Sequence, residues 1–570
     1  MTERAEPPGG GAGDEGEGAG RDADSSAWAP LRLPTYRTLW CAQLGSNVGT
    51  WMQTVGAQWM LVHQPNAPTL TSLVQAASLL PVLFLSLPAG VLADVLDRRR
   101  LLIALSVAMA AVSTALAVLT AAGLTTPTVL IALVFLMGCG SALSGPGWQA
   151  IQPELVPRAQ IPAAAALGSL NVNLARAVGP ALAGVLVAAT GTDVVFGINA
   201  ASFLGVVAAL AVWHRATAPA GGAPERMRPA LSAGTRYVRN APGVRRVLLR
   251  AALFVLPASA LWGLLPVVSS QRLHQGAGGY GLLLGALGVG AIAGAVTVKR
   301  VRAALDRNVL LALSSAAFAA GSAVAALVTQ PAVVALVLVM TGAGWLYALS
   351  TLNTTLQLAL PSWVRARGLA VYLMVFMGGQ GVGSLVWGLV ANATSTRAAL
   401  LAATALLLLT AASLAVWPMH ARTGTFDRDV VAPWPEPMLA FDRTADDAAD
   451  GPVLVEVTYE VPVERLPEFR AAMAALAVSR RRTGASHWSL YRDAEQPTTW
   501  VEAFQVPSWQ EHLRQHESRL TAYDAELAAR AGALSTTGPR VRHLIAPVGR
   551  AGGAGPHQAG RGGRHEGGPP

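Results

Sequence analysis

A chain of 570 residues that is 52% hydrophobic and 13% charged carries about half the charge of a soluble globular domain, at mean hydropathy +0.43. The net charge of +10 would suit nucleic acid, yet the arginines lie between apolar runs rather than along a basic face, which excludes that partner. Cys41 and Cys139 both sit in apolar segments, so neither a disulfide framework nor a thiolate metal site is expected.

Residues 1–30 are Gly-, Pro- and acid-rich without an apolar core, and read as a disordered cytoplasmic tail rather than a signal peptide. Apolar stretches able to cross about 30 Å of hydrocarbon then follow. They fall near 37–62, 70–93, 101–122, 128–150, 161–189 and 194–213, and again near 247–271, 280–298, 308–328, 332–358, 367–391 and 398–417. This predicts an all-α polytopic membrane protein of twelve transmembrane helices. Its N-terminal six-helix half is 31–213, its central cytoplasmic loop 214–246 and its C-terminal six-helix half 247–420.

Arginines crowd the loops after even-numbered helices (Arg98, Arg99, Arg100, Arg158, Arg245, Arg246, Arg300, Arg365), whereas Arg272 and Arg397 stand on the other side. The positive-inside rule places both termini in the cytoplasm and the chain in the cell membrane, with the lipid bilayer as solvent. The halves echo each other, "AGVLADVLDRRR" after helix two against "AGAVTVKRVRAALDRN" after helix eight, as in repeat-built secondary transporters.

Residues 421–450 are a Pro-, Asp- and Trp-rich linker. Beyond it the period changes to alternating strands and two helices, in the order β-α-β-β-α-β, predicting a ferredoxin-like α+β domain over 451–547. Residues 548–570 read as a second disordered tail.

Gly90, Asp94, Asp97, Arg98 and Arg99 stand where helix two leaves the membrane. Helix five carries Arg176, Gly179, Pro180 and Gly184, with Ser169 and Asn173 on the Arg176 face. An intramembrane charge is costly and faces a cavity or a partner, so Arg176 reads either as a substrate or gating group or as a strut bonded to backbone carbonyls. Asn47, Trp51, Thr54 and Gln58 form an amide–aromatic stripe on helix one. With Trp262, Asn353, Gln357 and Gln380 they are cavity candidates, though amides also tie membrane helices together. The central spans hold no Asp or Glu, so an arginine-bearing cavity suits an anionic or neutral amphipathic cargo.

The first cluster resembles the cytoplasmic signature of the major facilitator superfamily, G-xxx-D-xx-G-R-R, with Asp97 in place of the second glycine. The helix-five cluster resembles that superfamily's Gly-Pro motif. The resemblance implies alternating access, a latch on the inward gate, helices sealed through glycine and proline, and proton coupling. "SNVGTWMQTVGAQWML", "LPAGVLADVLDRRRLL" and "LNVNLARAVGPALAG" resemble the enterobactin-exporter-like branch, or transmembrane secretion effectors, which implies export of a siderophore, antibiotic or other secondary metabolite.

The stretch "RRRTGASHWSLYRDAEQPTTWVEAFQV" resembles antibiotic-biosynthesis monooxygenase-like domains, which pair into dimeric α+β barrels. That implies a homodimer burying Val453, Val455, Trp488 and Trp500 or their alternates. His512 and His516 are four apart but lack a third ligand at motif spacing, so no metal and no cofactor is expected. The reading is a non-enzymatic transporter of a small molecule. A membrane-tethered monooxygenase and a transporter-derived sensor are its rivals.

Overall fold

The computed structural model describes residues 26–213, 236–419 and 451–546. Twelve long helices come first: α1 Pro34–Leu61, α2 Ala67–Val95, α3 Arg98–Ala121, α4 Pro127–Ile151, α5 Ile161–Thr190 and α6 Thr192–Val212, then α7 Pro242–Val267, α8 Ala277–Ala304, α9 Arg307–Leu327, α10 Pro331–Ala359, α11 Ser362–Ala393 and α12 Thr396–Val416. Among the described residues eleven are long and apolar enough to cross a membrane. The exception, α1, is long enough but diluted by Gln43, Asn47, Gln53 and Gln58. In hydrocarbon a backbone must satisfy itself, so helices are the form these runs take. Their ends are capped locally: Asp97, Thr126, Asp306 and Ser395 each accept a backbone N–H of the helix that follows.

The packing repeats six helices apart. The pairs α2–α4, α3–α6 and α1–α5 recur as α8–α10, α9–α12 and α7–α11, and the halves meet through α2–α11 and α5–α8.

The chain divides into two compact units, and the second, 425–570, also claims residues 232–241 from between α6 and α7. In this second unit β1 Val453–Glu460, α13 Leu466–Thr483, β2 Ser486–Arg492, β3 Thr499–Val506, α14 Trp509–Arg514, α15 Ala522–Gly532 and β4 Arg540–Ile545 follow in order. The four-stranded sheet runs β2-β3-β1-β4, antiparallel throughout, with Val455 facing both Phe504 and His543. β2 and β4 are edges, so the sheet does not close, and the expected monooxygenase-type barrel is corrected to an open sheet.

Alternation along β1 puts Val453, Val455, Val457 and Tyr459 into a core with Phe469, Met473, Trp500 and Phe504. Val453, Val455 and Trp500, expected at a pairing face, thus belong to the domain's own core. Trp488, also expected there, packs at the core's margin, and Tyr491 on the same strand is exposed.

The core also contains carboxylates, each held by arginine. Glu502, fully buried, accepts from Arg480 Nε at 3.1 Å, Trp488 Nε1 at 2.8 Å and the Tyr459 hydroxyl at 3.2 Å. Burial alone would lower the Arg480 pKa, but the Glu502 carboxylate beside it raises it overall. Asp524 accepts from Ser479 and Arg482 and closes a capping box with Thr521. Glu511 accepts from Arg519 at 2.6 Å and pairs at 3.7 Å with Arg236 from the 232–241 segment. In that segment Tyr237, Val238 and Ala241 are buried, and Arg482 lies over the Tyr237 ring.

Candidate functional site

The inter-half seal is built from small residues. A Cβ placed at Gly281 of α8 would meet the Pro180 carbonyl at 2.5 Å and the Gly184 Cα at 2.8 Å, and one at Gly288 would meet the Ala177 Cα at 2.3 Å. Across α2–α11, a Cβ at Gly388 would meet Ser72 Cβ at 2.5 Å. Only glycine lets backbones approach this closely. Thr71 donates to the Gly263 carbonyl at 3.1 Å and Thr69 to that of Gly388 at 3.3 Å. The Tyr280 hydroxyl donates to Gln58 Oε1 at 2.5 Å. These contacts lie at the bundle end holding the start of α2 and the end of α5, opposite the Arg-rich loops.

Gly179 and Gly184 are therefore close-approach glycines: a Cβ at Gly179 would strike Trp51 Cβ at 2.7 Å, and one at Gly184 the Ala277 carbonyl at 2.7 Å. A Cβ at Gly90 would meet nothing within 4 Å. The Asp94 side chain lies outside the described residues.

Asp97 caps α3, accepting from the Arg100 backbone at 2.8 Å, which gives the residue standing at the signature's glycine position a definite task. Arg98 donates to the Ala93 carbonyl and pairs with Glu154 at 2.7 Å, tying the ends of α2 and α4 to the start of α3. Arg99 donates to the Leu210 and Ala211 carbonyls, each at 2.8 Å, where the negative end of α6 favours a cation.

The amide stripe separates into distinct roles. Gln58 is buried and ties α1 to α2 and α8 within the seal, so it is a strut rather than cavity wall. Asn47 donates to Asn171 Oδ1 at 2.8 Å, joining α1 to α5. Asn173 donates to its own helix at the Ser169 carbonyl, and Gln357 to Asn353 at 2.5 Å on an exposed stretch of α10. Gln380 is buried on α11. Gln53, which sequence reasoning passed over, accepts from both Ser113 and Asn199 and joins α1, α3 and α6.

Trp51 and Thr54 do line a cavity of about 240 Å³ with Gln53, Gln75, Leu79 and Met137, between α1, α2 and α4. Beside the Trp51 ring stand Arg176, its guanidinium 5.7 Å from the ring centroid, and Trp262 at 6.2 Å. Arg176 Nε and Nη1 are buried and make no hydrogen bond. Trp262 continues into Trp345 at 5.5 Å and thence Phe376 at 5.3 Å, an aromatic band spanning both halves. Among the described residues no acid lines this cavity.

The chain matches the transmembrane secretion effector family over residues 25–551 and belongs to it. It is 33% identical over 142 residues to a staphyloferrin A transporter of Staphylococcus aureus, covering 25% of this chain and 36% of that protein. It is 26% identical over 240 residues to the multidrug efflux pump Tap of Mycobacterium tuberculosis, covering 40% and 56%. The chain thus spans a third to just over half of the length of these relatives. The narrower likeness to enterobactin exporters is corrected accordingly to the wider set of siderophore and efflux transporters of the major facilitator type.

Among solved structures, a POT family peptide transporter aligns at TM-score 0.54 and 14% identity, over 68% of this chain and 97% of that one. The nucleoside transporter NupG aligns at TM-score 0.53 and 13% identity, over 66% and 99%. These likenesses give the fold, which is that of transporters rather than enzymes.

Proposed function

We propose that the chain is a secondary active exporter of an anionic or neutral amphipathic metabolite, driven by protons through alternating access. The observation that carries it is Arg176, whose guanidinium has two buried nitrogens that make no hydrogen bond, beside the Trp51 ring. A desolvated cation without a carboxylate is a seat for an anionic group. Relatives named for staphyloferrin A transport and multidrug efflux support a siderophore, antibiotic or similar small molecule as cargo.

The six-helix offset between packing pairs supports two repeats making a twelve-helix bundle. The arginine-rich loops support cytoplasmic termini, and on that reading the seal on the far side makes this the inward-open state. The element order and the strand order β2-β3-β1-β4 support a ferredoxin-like soluble domain.

Inverted membrane vesicles given a proton gradient should accumulate a carboxylated amphipathic fluorophore, and a protonophore should stop it. No accumulation over empty vesicles would remove the reading. The Arg98–Glu154 pair supplies a second check. The pair is partly exposed, 27% and 26% on its two side chains, so breaking it should change stability by only about 0–1 kcal/mol while unbalancing inward and outward states. Arg98→Glu should cut transport severalfold, and adding Glu154→Arg should recover much of it. Transport unaffected by the single change would show the pair is not part of the gate.

Pairing of two chains through the soluble domain is also proposed. Its support is the sheet face bearing Leu454, Thr458, Val501, Ala503 and Leu544, none of them fully buried. Light scattering on the detergent-solubilised chain should give a dimer that Leu454→Glu dissociates, and a wild-type monomer would end the proposal.

A further inference from the structure

The fold assembles a histidine triad that spacing along the chain conceals. His512 lies on α14, His516 one turn on in the π-helical segment Gln515–Arg519, and His543 on the edge strand β4. One ligand nitrogen from each lies within 4.8 Å of the others. Ring centroids are 4.6 Å apart for His512–His516 and 4.7 Å for His512–His543. Trp509 packs against His512 at 5.5 Å and against His543 at 5.7 Å, walling the cluster from one side.

His512 is 1% exposed, and neither of its ring nitrogens makes a hydrogen bond of ordinary geometry. The carboxamide of Gln515 beside it donates to Thr483 at 2.9 Å and leaves its own Oε1 without a partner. Burying an imidazole this way costs free energy unless something satisfies it. The polar neighbours of the His512 ring are the Gln515 carboxamide and the imidazoles of His516 and His543.

We infer that His512, His516 and His543 form a site for a divalent late first-row transition metal of the zinc class. Three neutral imidazoles and an open fourth position are a donor set that zinc accepts. Tetrahedral bonds of about 2.0–2.1 Å put ligand nitrogens about 3.3 Å apart, so the rings close inward by small rotations when metal enters.

The charge of Arg480 is met by the buried Glu502 at 3.1 Å, so this guanidinium does not bar a dication. The metal would staple β4, an edge strand with Val541 and Leu544 exposed, to the α14 segment.

The test uses the full chain in detergent, purified without a polyhistidine tag, stripped by chelator and dialysed against zinc chloride. Elemental analysis should give one zinc per chain, lost in His512→Gln and His543→Gln but kept when the tail residues His557 and His565 are replaced by Gln. Should either triad variant misfold, cobalt(II) on the wild-type chain decides alone: intense visible bands of a four-coordinate site are expected. Absence of zinc, zinc retained by folded triad variants, or only the weak bands of six-coordinate cobalt would each overturn the site.

Discussion

Arg176→Ala is expected to remove transport of an anionic cargo while the protein still runs monodisperse in detergent. The Nε and Nη1 atoms of Arg176 contact no protein acceptor, so truncation breaks no internal bond there, and the ring of Trp51 can settle into the space. A hydrogen bond to a charged group is worth about 1.5–3 kcal/mol, so apparent affinity for the anion should fall roughly ten- to a hundredfold. Arg176→Lys should recover part of it, since lysine returns the charge without the planar fork. Cargo accumulation and size-exclusion profile must be read on the same preparation. Aggregation accompanying the loss would mean that Arg176 is a strut, and normal transport would mean that it does not meet the cargo.

Glu502→Ala carries the largest expected effect on stability. Glu502 holds Arg480 and Tyr459 within the core and Trp488 at its margin, all at once. Its removal leaves a buried guanidinium uncompensated, at a cost of about 3–5 kcal/mol, much of what a domain this size possesses. Glu502→Gln, which keeps an acceptor, should cost less. Thermal unfolding of the full chain, followed by near-ultraviolet signals of Trp488 and Trp500, should show the soluble unit melting early or absent in Glu502→Ala. A shift of only a degree or two would show that Arg480 finds other acceptors.

Much of this arrangement is legible along the chain, because the hydrocarbon makes each helix answer for its own backbone and writes its length into hydropathy. α1 is the partial exception, and the reason is chemical: its amides are the struts Asn47, Gln53 and Gln58. Their individual roles are not legible. Thr54 and Gln58 sit one turn apart on one face, yet Thr54 lines the cavity and Gln58 is locked to Tyr280, a partner 222 residues away. Asp97 was readable as a cap, standing just before a helix, but the motif it resembles drew attention to the missing glycine instead. The histidine triad escaped because β4 supplies its third member by sheet register, opposite Val455, and no local spacing encodes a register.

The soluble unit is discontinuous, and this orders events during synthesis. Tyr237 and Val238 are made before α7, whereas Glu511, which receives Arg236, follows roughly 270 residues later, on the order of 15–55 s at about 5–20 residues per second. Throughout that interval six further helices must be inserted while an apolar patch waits for its core. The unit can finish folding only after the bundle has been threaded. A nascent chain stalled before β3 would thus offer Tyr237 and Val238 to a chaperone.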